Sequence, residues 1–287
     1  MLAIIGGSGL YQLDGLAIEA QHKVATPFGT PSSIISEGSY LDQRVLFLAR
    51  HGDGHQFLPH EVNYRANIFA LKSLGARRVL GFSAAGSLRK EIRPGELALT
   101  AQYFDHTRGK RHYSFFGSGV SAHVSSAYPT CPALGADVAA AAARINQPLH
   151  IDKTYACVEG PRLGTRAESF FLRDSAQSDL VGMTNVPEVF LAREAQLAYC
   201  TLCLVTDYDC WMDDPKEHVS VDKFFATYQG TLTKAQAVLA ELLKVPFRPT
   251  PNQIRRSLAG AVLTAEDTLS NACLLYTSPS PRDKRQS

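Results

Sequence analysis

"AYCTLCLVTDYDCW", residues 198–211, decides the fold class. From Ala198 to Val205 the run is apolar, thiol or hydroxyl, with no charged residue and no polar/apolar alternation. An antiparallel strand with one wet face would alternate. A strand covered on both faces need not, and such strands belong to parallel sheets sandwiched between helices. The run then meets Asp207 and Asp209, one residue apart, and Trp211, the chain's single tryptophan. Cys200 and Cys203 form a C-x-x-C pair, but positions three apart on a strand face opposite sides. They therefore read as small buried hydrophobes and not as a metal or redox motif.

Working outward, similar β-rich runs recur: "LAIIGG", "SSIIS", "RVLFLAR", "RVLGFSAAG", "GELALTAQYF", "KTYACVEG" and "DLVGMT". Between them lie segments with apolar positions three and four apart: "NYRANIFALKSLGA", "CPALGADVAAAAARIN", "TRAESFFLRDSA" and "VPEVFLAREAQL". A long amphipathic pattern, "DKFFATYQGTLTKAQAVLAELLK", follows. Strands alternating with helices predict an α/β fold, a single domain whose mixed, mainly parallel sheet is flanked by helices. No repeat or linker-like stretch divides it, so one domain is expected over residues 1–272. The segment 273–287, "CLLYTSPSPRDKRQS", has no periodicity and resembles the translated read-through of a sequencing adapter, so it is read as a non-native tail.

Composition narrows the function. Among 287 residues, 45% are hydrophobic and 20% charged, with a formal net charge of +2. That balance is ordinary for a globular protein and points to neither nucleic acid nor a membrane surface. No run is long and apolar enough to span a bilayer, and "LAIIGG" follows Met1 with no basic secretory leader. The six cysteines are scattered through apolar stretches, which suits a reducing cytoplasm better than a disulfide framework.

In open α/β sheets, ligands sit beyond the carboxyl ends of the strands. What stands there is consistent: Gly6-Gly7-Ser8-Gly9 after "LAII", Arg50-His51 after "VLFLA", and Ser83 to Gly86 after "VLGF". Met183 and Thr184 follow "DLVG", and Asp207 and Asp209 follow "LCLV". "IIGGSGLY" is no dinucleotide fingerprint, since the glycine required at position 12 is Gln12. It remains a turn whose amides and Ser8 hydroxyl suit an oxyanion. Arg50 supplies planar paired donors. The cluster His51, His55 and His60 lacks a cysteine or carboxylate at zinc-ligand spacing, so no metal is expected. If the chain stays extended, Asp207 and Asp209 share a face, and two carboxyls so close raise at least one pKa. An oxyanion cradle beside a protonated acid suggests group transfer from a leaving nitrogen or oxygen to phosphate.

These residues resemble a known family. "IIGGSGLY", "TPFGTPS", "LARHGDGH", "EVNYRANIFALKSLGA", "SAAGSL", "EGPRLGTRAES", "GMTNVPEVFLAREA" and "TDYDCW" are similar to the 5′-methylthioadenosine phosphorylases, among the trimeric purine nucleoside phosphorylases. The likeness runs through roughly residues 2–245. It implies phosphate held by Ser8, Arg50, His51, Ser83, Ala84 and Thr184, with Met183 against the ribose. It implies Asp207 and Asp209 at the adenine edge, and Val221, Phe224 and Phe225 around the 5′-methylthio group. It places His123 in a neighbouring subunit's pocket, hence a homotrimer, and implies no cofactor beyond phosphate as co-substrate.

One departure stands out: Leu163 occupies the place where the family usually has phenylalanine against the base. Relatives acting on 6-oxopurines usually carry asparagine at 207, and ordinary purine nucleoside phosphorylases carry glutamate at 164. Asp207 and Gly164 therefore favour an aminopurine. Methylthioinosine or general purine nucleoside phosphorolysis, a hydrolytic nucleosidase, and a non-catalytic nucleoside-binding protein are the alternatives.

Overall fold

The computed structural model describes residues 1–7, 9, 13, 15–117, 119–213 and 221–265, with 221–226 described by their backbone alone. Ser8 and the expected tail, 273–287, lie outside the described residues. So do the side chains of Val221, Phe224 and Phe225.

The sheet has nine strands among the described residues. They are β1 (Leu2–Gly6), β2 (Ala17–His22), β3 (Ile35–Tyr40), β4 (Gln43–Ala49), β5 (Arg78–Ser87), β6 (Leu97–His106), β7 (Leu149–Val158), β8 (Leu180–Gly182) and β9 (Ala198–Asp207). β1 runs parallel between β4 and β5, and β5 runs parallel to β9. β6–β7 and β7–β8 are also parallel, while β2–β3, β3–β4, β5–β8 and β6–β9 are antiparallel. The pairings β5–β8–β7–β6–β9–β5 close into a ring, so half of the sheet curls on itself. This is the expected mixed, mainly parallel α/β sheet, with β2 added at its edge.

β9 explains the packing. All ten of its residues are buried. Tyr199, Cys203 and Val205 join a core with residues of α1 (Tyr64–Ser73) and α4 (Asn185–Glu194), such as Ile68, Leu71, Val189 and Leu191. Ala198, Cys200, Leu202 and Leu204 join a second core with α2 (Pro132–Arg144) and α5 (Val221–Leu242), including Leu134, Val138, Ala235 and Leu239. Each fully buried aliphatic side chain contributes about 1.5–3 kcal/mol, so this uninterrupted strand adds to the packing of both helical layers. Cys200 and Cys203 lie in different cores, on opposite faces of β9.

Local chemistry sets the helix ends. The Asn63 side chain caps α1 by accepting from the Ala66 N–H, and Thr165 and Glu168 form a capping box at α3 (Arg166–Phe170). The expected helix over 165–176 is divided: α3 gives way to a π-helical turn, Phe171–Ser175. α4 is kinked at Val186 (φ −111°, ψ 128°), because Pro187 disfavours the helical region for the residue before it. A short α6 (Asn252–Arg255) follows α5. β2 escapes the sequence pattern because it is a largely exposed edge strand with no apolar run to mark it.

Candidate functional site

The parallel strands β1, β4, β5 and β9 deliver their carboxyl ends to one cavity of about 1010 Å³. Its lining includes Arg50, His51, Ser83, Ala84, Leu163, Met183, Thr184, Asp207 and Asp209, which fall into two ends.

At one end, β4 leads directly into Arg50, whose side chain is 3% exposed. The guanidinium Nε and Nη2 donate to the two carboxylate oxygens of Glu188 on α4, both at 2.7 Å. Nη1 donates to Phe82 O at 2.7 Å and Nη2 also to Ile5 O at 3.4 Å. A guanidinium has five N–H groups, so one, on Nη1, is left without an acceptor among the described residues. The fork expected to grip an anion is therefore closed on Glu188. Burial works against the Arg50 charge, but the Glu188 carboxylate outweighs it and holds the pKa above its ordinary value. Glu188 is supported in turn: the Tyr199 hydroxyl donates to its Oε1 at 2.8 Å, and the Thr201 hydroxyl donates to Tyr199 at 3.0 Å. A buried ion pair needs such further hydrogen bonds to offset desolvation.

His51 is not a second cation. Burial, followed by the charge of Arg50 and the neighbouring His55, lowers its pKa to about 4, although its bond to Phe57 O works the other way. Nδ1 lies 2.8 Å from that carbonyl, which can only accept. The neutral ring thus carries its hydrogen on Nδ1 and leaves Nε2 as an acceptor. Ser83 Oγ lies 3.2 Å from Thr184 Oγ1 and 3.3 Å from the Tyr155 hydroxyl, so β5, β7 and the start of α4 bring three hydroxyls together.

At the other end, Asp207 closes β9, and both it and Asp209 are buried, at 8% and 7% exposure. The pleat does not pair them, contrary to the expectation of an extended chain. Asp209 has φ +53°, and its backbone N–H turns back to donate to Asp207 Oδ1 at 2.8 Å. This Asx-type turn forms because a short carboxylate can satisfy a backbone donor two residues on. The Thr206 hydroxyl lies 2.7 Å from Asp207 Oδ2. Burial raises the pKa of Asp207, with Thr206 and the Asp209 N–H pulling partly back. Burial also raises that of Asp209, and the Asp207 charge adds to it. Gly86 of β5 makes room for the acids, since a Cβ there would fall 2.9 Å from Asp207 Oδ1.

The loop after β7 forms the wall facing the acids. Arg111 fastens it: its Nε donates to Glu159 Oε1 at 2.9 Å, its Nη2 to Glu159 O at 3.1 Å and its Nη1 to Val186 O at 2.5 Å. One buried guanidinium thus ties the loop at 158–160 to the segment that carries Met183 and Thr184. Glycine is favoured at 160 by its positive φ of 66°, and a Cβ there would also press on the Met183 side chain. Leu163, further along the loop, is 49% exposed. His123 is not among the residues lining this cavity; its backbone N–H donates to Ala261 O. Of the histidine cluster, His51 and His55 stack 4.6 Å apart, while His60 lines a separate cavity of about 300 Å³.

Residues 1–244 match the model of the phosphorylase superfamily. The chain belongs to this family. It is 44% identical over 265 residues to the S-methyl-5′-thioadenosine phosphorylase of Hyperthermus butylicus, covering 92% of this chain and 94% of that one. The enzyme of the same name from Geobacter sulfurreducens is also 44% identical, covering 92% of each chain. The crystal structure of a methylthioadenosine phosphorylase sourced from an antarctic soil metagenomic library superposes with a TM-score of 0.88 at 39% identity, covering 97% of this chain and 98% of that one. Methylthioadenosine phosphorylase from Schistosoma mansoni, in complex with adenine, gives a TM-score of 0.85 at 33% identity, covering 91% and 98%.

Within this phosphorylase fold, three positions escaped the sequence reading: Glu188, Tyr199 and Arg111. Glu188 left a faint signal, as a lone acid inside the apolar helical pattern "VPEVFLA". Tyr199 was indistinguishable from core.

Proposed function

We propose that this chain carries out phosphorolysis of 5′-methylthioadenosine to adenine and 5-methylthioribose 1-phosphate. The observation that carries the reading is the two-ended cavity, with buried carboxyls of raised pKa opposite Arg50 and a hydroxyl cluster. The names of the relatives above support the choice of nucleoside.

Phosphate is held by the spare Arg50 N–H, His51 and the hydroxyls of Ser8, Ser83 and Thr184, close to the backbone at Ala84. Nε2 of His51 accepts a hydrogen from protonated phosphate. Met183 lies against the ribose, and Val221, Phe224 and Phe225 enclose the methylthio group. As the C1′–N9 bond breaks, its electron pair passes to the purine and positive charge grows on the sugar. Asp207 delivers a proton to N7 while its other carboxyl oxygen accepts from the 6-amino group; Asp209 fixes the Asp207 orientation. A phosphate oxygen then bonds to C1′. General acid assistance of this kind is worth roughly a hundred to ten thousandfold, and the anion beside the sugar stabilises the cationic transition state. Phosphate is co-substrate and no cofactor takes part.

The active form is a homotrimer in which His123 completes a neighbouring subunit's cavity. Supporting this is the family resemblance at His123, which is not among the residues lining its own cavity. A reducing, cytoplasmic setting suits the five free buried cysteines among the described residues.

A substrate panel with and without phosphate tests the function. Methylthioadenosine should turn over only with phosphate, and much faster than methylthioinosine or inosine. Equal turnover without phosphate would indicate a hydrolytic nucleosidase. Comparable rates on methylthioinosine would defeat the aminopurine assignment.

A further inference from the structure

The Thr206 hydroxyl stands between two groups that compete for its single hydrogen. Asp207 Oδ2 lies at 2.7 Å and Ala85 O at 3.3 Å, and Thr206 is 2% exposed. A carbonyl oxygen only accepts. A carboxyl oxygen accepts when ionised and donates when protonated.

Two arrangements satisfy all three groups. With Asp207 neutral, Oδ2–H donates to Thr206 Oγ1 and the Thr206 hydrogen goes to Ala85 O. With Asp207 ionised, the Thr206 hydrogen swings to Oδ2. The other oxygen, Oδ1, faces a fixed donor, the Asp209 N–H at 2.8 Å, so the acidic proton resides on Oδ2. Buried polar groups left without partners are costly, and here neither protonation state leaves one.

We infer that Thr206 is a two-state positioning residue for the acid. It holds the proton on Asp207 until the base arrives and stabilises the carboxylate once that proton has gone. This rests on the reading of Asp207 as the proton donor. In the step itself one proton passes from Oδ2 to N7, and the C1′–N9 electron pair passes to the purine. Thr206 makes and breaks no covalent bond; its hydrogen turns from Ala85 O to Oδ2.

Few other groups face Asp207. From β5 it meets Gly86, and Val181 of β8 lies at the same point, neither of them titratable. On its own segment stands Asp209, with Cys210 Sγ 3.9 Å from Asp209 Oδ2. Across the cavity wall come Gly164 and then Glu168, which is paired with Arg162 at 2.6 Å. No cation contacts the acid among the described residues, so the ionised form depends on Thr206 and the Asp209 N–H.

The test compares pH–rate profiles of wild type, T206V, T206S and D207N at saturating methylthioadenosine and phosphate. Hydrogen bonds to a charged acceptor are about twice as strong as neutral ones, so T206V weakens the ionised form more than the neutral one. Activity requiring the protonated acid is lost as pH rises through its pKa. That basic limb should move upward by about one unit in T206V, with kcat roughly tenfold lower. T206S should stay within about twofold of wild type, and the KM for phosphate should hold in both variants. T206A carries the same expectation should T206V fail to fold. An unshifted basic limb in T206V or T206A, or a T206S variant as impaired as they are, overturns the inference. Full activity in D207N would instead overturn the role of Asp207 itself, whatever Thr206 does.

Discussion

The two ends of the cavity are built on opposite electrostatic plans. At the arginine end the charge is compensated within the protein, because Arg50 is locked to Glu188 and both are almost wholly buried. At the acid end two buried carboxyls have no cation against them among the described residues, and they meet their environment by holding protons more tightly. A paired charge gives a fixed geometry and little net field. An unpaired acid gives a transferable proton. In the function proposed above, the first end orients an anion and the second changes protonation state during the reaction.

The contrast breaks most severely at Glu188. Removing one partner of a buried pair strands the other, at about 3–5 kcal/mol. Glu188→Gln keeps the shape but leaves the Arg50 charge uncompensated. The urea unfolding midpoint should fall by that equivalent, and the KM for phosphate should rise while the proton-transfer limb of the pH profile stays put. A variant as stable as wild type would mean that the pair does not organise this end. Tyr199→Phe is a milder probe. It removes one hydroxyl donated to Glu188 Oε1 and leaves the Arg50 bonds in place. A hydrogen bond to a charged group contributes about 1.5–3 kcal/mol, so a smaller loss of stability and a severalfold rise in phosphate KM are expected. If Tyr199→Phe shifted the nucleoside KM instead, the two ends would not be separable.

The same contrast sorts what the sequence could reveal. β9 was legible because burial on both faces leaves an unbroken apolar run, and the ligand side of the sheet followed from its parallel neighbours. β2 was not, since an exposed edge strand needs no apolar signature. Asp207 and Asp209 stood out as acids at the end of a hydrophobic run, yet the turn that joins them was hidden. The positive φ of Asp209 comes from a side-chain-to-backbone bond that no periodicity encodes. Arg50 was visible and its partner was not, because 138 residues separate them and only the packing of α4 against the sheet brings them together. The acid end is thus contiguous in sequence at Asp207 and Asp209, while the arginine end is assembled from distant segments.

Leu163 sharpens the comparison with the smallest effect. It sits on the loop opposite the acids and is 49% exposed, so a larger side chain there has room and need not displace core. An aliphatic side chain offers a purine only dispersion contacts, whereas an aromatic ring adds about 0.5–1.5 kcal/mol through offset or edge-on packing. Leu163→Phe should therefore lower the KM for methylthioadenosine by roughly two- to tenfold, with kcat and the phosphate KM little changed. Binding gained equally by substrate and transition state lowers KM without raising kcat, which separates this position from Thr206 and Asp207. A phosphate KM that moved with Leu163→Phe would place residue 163 in communication with the far end. An unchanged nucleoside KM would show that this wall does not touch the base.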